Sequence, residues 1–436
     1  MSADLPLIHA ALDAPIVFHG GRAVSARELI ATADALAARL PPVSHIVNLC
    51  ENRYHFALLW TAACRRAQVT LLPPSQASGV LADLAMAYPN QHAFDDESLA
   101  DLLRDLRRGN VDALLDDLPD GWRIPAERVV ALTFTSGSTG LPQAHAKAWG
   151  TLVRNAQLAC AEVLGGRGSN LVATVPAQHV YGLEVSLIAS LVAGCPVHDG
   201  KPFFPQDVRA ALSALPAPRT LVTTPTHLKA LMEANVQLPA VRRVISATAP
   251  LPMELAQRIE AAWSTQLHEI YGCTEAGVMA RRRTIQSEQW ETFAGGELIV
   301  TGTGAHYRAP QLPEPIVLQD LIESSSPTRF YLRGRSADMI KVAGKRTSLQ
   351  EITRHLLAVP GVQDAAVFVP APDARPAAFV VAPGSSAQAI LAGLAGRIEA
   401  VFMPRPVILV EHLPRNDVGK LTREALSSLW SRRHES

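Results

Sequence analysis

Residues 128–133, RVVALT, form a β-rich apolar run of strand length, and the chain then reads Phe134, Thr135, Ser136, Gly137, Ser138, Thr139, Gly140. From Trp149 onward, Leu152, Ala156, Ala159 and Val163 recur at helical spacing. This junction constrains the fold more than any other stretch, because α/β proteins place ligands at a loop thrown off the end of a buried strand. Two glycines permit tight turns and close approach, while hydroxyls and loop amides converge as donors on something rich in oxygen, such as a polyphosphate. Composition alone would leave a Ser/Thr/Gly cluster as a solvated loop; its position after the strand decides otherwise. No Gly-Lys-Ser/Thr follows, so the loop is not of the Walker type.

The remainder of the chain fits that frame. Ser25 and Glu28 make a capping box opening a helix that should run to about Leu40 and stop before Pro41-Pro42. Strand-like 44–49 and 69–72 alternate with helix-like 54–67 and 77–87, which predicts a layered α/β domain with a mostly parallel sheet. Further buried strands are expected at 171–175, 221–223 and 244–246. In the last hundred residues Ser348 and Glu351 form a second capping box, for a helix ending before Pro360-Gly361. Strands at 365–369, 377–381 and 407–411 and a helix at 387–402 complete a small α+β unit.

With 436 residues, 48% of them hydrophobic, the chain can bury a large core in more than one domain. Forty basic residues balance forty acidic ones, so no bulk field exists to hold nucleic acid or an anionic membrane. The N-terminus lacks the charged start and apolar run of a signal peptide, and the longest apolar segment, 185–197, is too short to span a bilayer and reads as a buried helix. Five cysteines without paired or zinc-like spacing point to reduced thiols in a cytoplasmic protein.

TSGSTGLP at 135–142 resembles the phosphate loop of the adenylate-forming superfamily, which includes acyl- and aryl-CoA ligases, peptide-synthetase adenylation domains and luciferases. Three further segments occur in the family's order: Tyr271-Gly272-Cys273-Thr274-Glu275, Gly334-Arg335 through Glu351, and Pro414-Arg415-Asn416-Asp417-Val418-Gly419-Lys420. The resemblance covers residues 125–430 well and the N-terminal quarter in outline. It implies a large adenylation domain, 1–335, and a small mobile α+β domain, 336–436, turning about a hinge near Ala337 and Asp338. It further implies that ATP and Mg²⁺ are used to activate a small carboxylic acid, which is then passed to the pantetheine thiol of CoA or an acyl carrier protein.

Within that likeness, Thr135, Ser136, Gly137, Ser138, Thr139 and Gly140 would bind phosphate, and Ala247, Thr248, Ala249, Tyr271 and Gly272 would bind adenine. Thr274 would reach the α-phosphate, Glu275 would hold Mg²⁺, Asp320 and Arg335 would meet the ribose, and Lys420 would be the catalytic lysine. His179, Tyr181, Gly182, Cys273 and Gly277 would line the acyl pocket, and Gly344 the thiol tunnel. Taken singly these have plainer readings: a lone His is more often structural, and most exposed lysines are merely solvated. The chain departs from the family at Thr248, where Gly or Ala is usual, at Gln319 before Asp320, and at Gln143-Ala144, where Lys-Gly commonly follows the loop proline. Lys147 is the residue expected to replace that missing charge beside the departing pyrophosphate. A hydroxylated benzoate or cinnamate is the expected acid. The alternative is a catalytically impaired nucleotide-binding regulator derived from the family, with the missing loop lysine as its symptom.

Overall fold

The computed structural model describes residues 4–107, 122–136, 142–301, 304–335, 338–342, 345–371, 374–415 and 421–434. The chain divides into two compact units: residues 1–288 with 292–296 and 309–314, and residues 297–308 with 289–291 and 315–436.

The first unit is built on two sheets. In the larger, strands Pro15–His19, Val197–His198, Asn170–Ala173, Arg219–Thr223, Arg243–Ser246 and Gln266–Cys273 lie side by side and parallel. Antiparallel neighbours, Arg22–Ser25 and Gly277–Arg282, flank the two ends of this run. In the smaller, Gln91–Phe94, His45–Asn48, Val69–Leu72 and Val129–Ser136 are parallel, and Pro142–Ala148 returns antiparallel along the last of them. The helix Arg53–Arg65 shows why the sheets stay together: Phe56, Leu58, Leu59, Trp60, Ala62 and Cys64 are all buried, so apolar residues cover nearly its whole circumference. It packs on strands of both sheets. Its one buried charge, Arg53, donates to the carbonyls of Gly200 and Val175.

The expected alternation of strands and helices is present, with three local differences. Residues 142–148 form a strand, so the hydroxyl-rich loop closes a β-hairpin before the helix Trp149–Ala159 begins. Ser25 and Ser348 cap their helices through the Glu28 and Glu351 amides at 3.2 and 3.0 Å, but neither Glu reaches back: Glu28 binds Arg22 and Glu351 accepts from Thr347. The helix beginning at Ala387 ends at Leu394, because Gly396 takes a left-handed φ of 82° and a short 3₁₀ turn, Ala400–Phe402, follows.

The second unit holds an antiparallel sheet of Glu297–Thr301, Gly304–Arg308 and Ile316–Leu318, and the hairpin of Asp320–Ser326 and Arg329–Arg335. Beyond these, Asp364–Phe368, Ala377–Val381 and Val407–Leu409 form a small sheet covered by helices Leu349–Leu357, Ala387–Leu394 and Arg423–His434.

Candidate active site

Parallel strands deliver their following loops to one edge of the sheet. The register aligns Thr223 with Ser246 and Ser246 with Glu269, so residues 247–249 and 271–276 emerge from the same edge, and Tyr181 ties the neighbouring strand ends together. Its hydroxyl lies 3.2 Å from the Thr223 carbonyl and 3.1 Å from that of Ile245, and is therefore committed to the scaffold. Gly182 is required by space: a Cβ there would sit 2.1 Å from the Pro176 carbonyl oxygen. His179 caps the short helix Val180–Gly182 and is half-buried. Ala247 is buried, and Thr248 adopts a φ of +79°, a conformation costly for a β-branched residue. The departure from glycine at this turn is thus held under backbone strain.

Strands Gln266–Cys273 and Gly277–Arg282 are joined by a three-residue loop, Thr274, Glu275 and Ala276, with Cys273 paired to Gly277. Gly277 sits at φ +78°, and a Cβ on Gly272 would stand 2.2 Å from the Gly277 carbonyl. The Cys273 sulfur lies 3.7 Å from that of Met279, and burial pushes its thiol up to about 12. That fits a lining side chain, since the thiolate is the nucleophilic form.

Beneath this loop lies a buried polar network. Lys147 donates from Nζ to the carbonyls of Thr274 and Glu275, the latter at 3.2 Å. Asn155 Nδ2 donates to the Ala276 carbonyl and to Glu184 Oε1, both at 2.9 Å, and its Oδ1 accepts from Gln311 Nε2 at 2.9 Å. Glu184 Oε2 accepts from the Val278 amide at 2.9 Å. Every carbonyl of the three-residue loop is therefore taken by a buried side-chain donor. Lys147 is 1% exposed and Asn155 and Glu184 are 0% exposed. Burial lowers the Lys147 ammonium from its ordinary value while Glu184 pulls it back; burial pushes the Glu184 carboxyl up to about 7, with Lys147 opposing.

Lys147 was expected near the pyrophosphate, yet its place follows from the hairpin. Ser136 pairs with Pro142 at the loop end, whereas Lys147 pairs with Ala131, five residues along the strand. At about 3.3 Å per residue its Cα is roughly 16 Å from the loop end, and its ammonium is engaged by the other hairpin. Asn155 and Glu184 were not among the residues the sequence singled out. A signal was available for Glu184, a carboxylate in the largely apolar run 183–192, since such residues are rarely buried unless paired; Asn155 stands between Arg154 and Gln157 and carries no such mark.

The Glu275 carboxylate remains 43% exposed, with His145 Nδ1 3.8 Å away. Burial lowers the His145 pKa, Glu275 raises it and Lys147 lowers it. A single exposed carboxylate suits Mg²⁺, which keeps several waters and completes its shell with substrate phosphates. Among the described residues no group of three or more His, Cys, Asp or Glu could hold a metal by itself.

In the second unit Asp320 and Arg335 are register partners on adjacent antiparallel strands, which brings the two residues expected at the ribose together. Arg415 binds Asp364 through two bonds of 2.8 and 3.1 Å, fixing the chain immediately before residue 416. Thr135 and Ser136 end the strand Val129–Ser136. Gly137, Ser138, Thr139, Gly140, Gly344, Lys420 and the hinge residue Ala337 lie outside the described residues.

Comparison with known proteins identifies the family. Residues 9–306 match the model of the AMP-binding enzyme family, and residues 351–420 match that of the AMP-binding enzyme C-terminal domain. The chain is 28% identical to a 4-coumarate–CoA ligase of Rhodobacter capsulatus, over 70% of this chain and 76% of the relative. It is 27% identical to a feruloyl-CoA synthase of an Amycolatopsis species, over 94% of each. The crystal structure of an anthranilate CoA ligase in complex with anthranoyl-AMP shares the fold, with a TM-score of 0.81, 19% identity and 99% coverage of both chains. No described helix is long and apolar enough to cross a membrane. The chain is a member of the AMP-binding, adenylate-forming enzyme family.

Proposed function

We propose that this protein is an AMP-forming acid–thiol ligase that joins a small aromatic carboxylic acid to the α-phosphate of ATP, expels pyrophosphate, and passes the acyl group to a pantetheine thiol. The observation that carries this reading is the loop of residues 274–276, presented at the carboxyl edge of a parallel sheet with an exposed carboxylate and a hydroxyl on adjacent residues. A carboxylate is a poor acyl donor until its oxygen is carried off by a better leaving group, and AMP is one. Both reactants are anions, so the protein's task is to place positive charge and oriented donors where negative charge gathers. Thr274 and the hydroxyls of residues 135–139 supply donors, Glu275 holds Mg²⁺, and Lys420 on the C-terminal domain, 336–436, meets the α-phosphate. Bound there, Mg²⁺ would neutralise phosphate charge. Asp320 and Arg335 hold the ribose, and turning of the C-terminal domain then presents Gly344 for the thiol.

An aromatic acid is favoured because relatives named for 4-coumarate and ferulate match along most of this chain. Those relatives use CoA, which is accordingly the first acceptor to test, with an acyl carrier protein as the second. Five free thiols suit a reducing cytoplasm. ATP–pyrophosphate exchange over hydroxybenzoates, cinnamates and aliphatic acids, followed by mixing the best acid with CoA or a phosphopantetheinylated carrier, tests the proposal. Exchange with an aromatic acid and AMP release with one acceptor are expected; silence across the panel would leave a non-catalytic nucleotide-binding protein. Lys420→Ala should lose exchange yet still transfer a supplied acyl adenylate.

A further inference from the structure

Three-residue loops are a common way of joining antiparallel strands, with a geometry set by the turn itself. Here the carbonyls of Thr274, Glu275 and Ala276 and the amide of Val278 are each met by a side chain from another element: Lys147 from the strand Pro142–Ala148, Asn155 from the helix Trp149–Ala159, and Glu184 from the segment Leu183–Ile188. The fold buries an ammonium and a carboxylate to do this. Apolar residues of similar volume at such places are often neutral or stabilising, so fold stability is a poor account of the arrangement. Geometry is a better one. One ammonium bonded to two consecutive carbonyls fixes the two peptide planes relative to each other, and with them the origins of the Thr274 and Glu275 side chains.

We propose that Lys147, Asn155 and Glu184 are positioning residues of the adenylation step, holding the backbone of 274–278 so that the Thr274 hydroxyl and the Glu275 carboxylate meet the nucleotide's phosphate and its metal. This rests on the ligase reading above. None of the three touches substrate; each acts through the loop. Lys147 is therefore no substitute for the lysine missing after Pro142, and the chain uses its nearby cation to set the geometry of another segment.

The test compares wild-type protein with Lys147→Met, Glu184→Gln and the double variant, measuring pyrophosphate exchange, the Mg²⁺ concentration for half-maximal rate, KM for the acid and Tm. Lys147→Met should slow exchange about 100-fold, the cost of a misplacement on the order of 1 Å. It should also raise the Mg²⁺ requirement and leave KM for the acid unchanged. The double variant removes the unpaired buried charge and should regain Tm without regaining rate. Recovery of rate together with Tm would reduce the pair to mutual neutralisation and overturn the proposal. So would a loss of rate in Lys147→Met with an unaltered Mg²⁺ requirement. If the wild type exchanged with no acid, the ligase reading would fall; calorimetry of ATP binding with and without Mg²⁺ would still decide the positioning role, because only a loop set by Lys147 would lose metal-dependent binding in Lys147→Met.

Discussion

Gly277→Ala is the sharpest perturbation of the site's foundation. The added Cβ would stand 2.1 Å from Glu184 Oε1, 2.4 Å from Asn155 Nδ2 and 2.5 Å from Glu184 Oε2. Neither partner can swing clear, since both are fully buried and bonded on either side. Two costs follow. Holding alanine at φ +78° costs about 1–2 kcal/mol. Displacing the carboxylate sacrifices at least one hydrogen bond to a charged group, about 1.5–3 kcal/mol. The sum, about 2.5–5 kcal/mol, reaches the severe end for a single substitution. Gly166→Ala separates the terms, because Gly166 has a similar φ of +86° with nothing within 4 Å of a Cβ. Urea unfolding followed by tryptophan fluorescence should show a loss of about 1–2 kcal/mol for Gly166→Ala. Gly277→Ala should lose at least about 1.5 kcal/mol more. Equal losses would mean that the carboxylate beneath Gly277 yields freely, and the account of a rigid loop would fail with it.

Three further outcomes follow from neighbouring residues. Tyr181→Phe should destabilise by about 1–3 kcal/mol, because the Thr223 and Ile245 carbonyls lose a shared donor, and should leave the ratio of KM for hydroxylated and plain aromatic acids unchanged. A collapse of that ratio would show the phenol reading the substrate. Thr248→Gly should raise the urea midpoint, since relief of about 1–2 kcal/mol of left-handed strain exceeds glycine's entropic cost of about 0.5–1 kcal/mol; an unchanged or lower midpoint would refute the strain. His268 accepts from Arg243 Nη1 at 2.8 Å, and burial followed by that guanidinium lowers its pKa to about 4, with Arg283 and Arg281 adding and Glu260 opposing. The unfolded chain therefore binds the proton first as pH falls from 6.5, and stability present above that value is lost on the way down to pH 4. The share is on the order of 3 kcal/mol. His268→Gln should flatten that part of the Tm profile, and an identical slope in both proteins would exclude His268 as its source.

Much of this architecture was legible because parallel α/β layers write themselves locally. The runs expected at 221–223 and 244–246 are rich in β-branched and apolar residues, and each proved to be a strand within two residues of its expected ends, Arg219–Thr223 and Arg243–Ser246. Residues 142–148 escaped because PQAHAKA carries alanine where a strand usually carries a bulky residue, though its alternation of Gln143, His145 and Lys147 with alanine has the period of two. The capping pairs were half legible: the serine's bond is local, whereas the glutamate had rival partners in Arg22 and Thr347. The site divided along the same line. The order of segments located Tyr271 to Glu275, but the residues holding that loop come from three elements, and none sits next to it in sequence.

Lys147 shows what that division costs. Read along the chain, it lies five residues beyond the loop proline and looks like a displaced phosphate ligand. Read through the hairpin register, it is carried away from the loop with every residue of strand and delivered beneath a different hairpin. Position along a strand thus sets which partner a charge can reach, and register is a tertiary property that one chain's spacing does not encode. What the sequence does retain is part of the anomaly: Glu184 stands inside a largely apolar run, while Lys147 and Asn155 stand near other polar residues and are set apart only by their burial. Burying three such groups is tolerable only if they satisfy one another and the backbone between them, so each predicts partners before any is known.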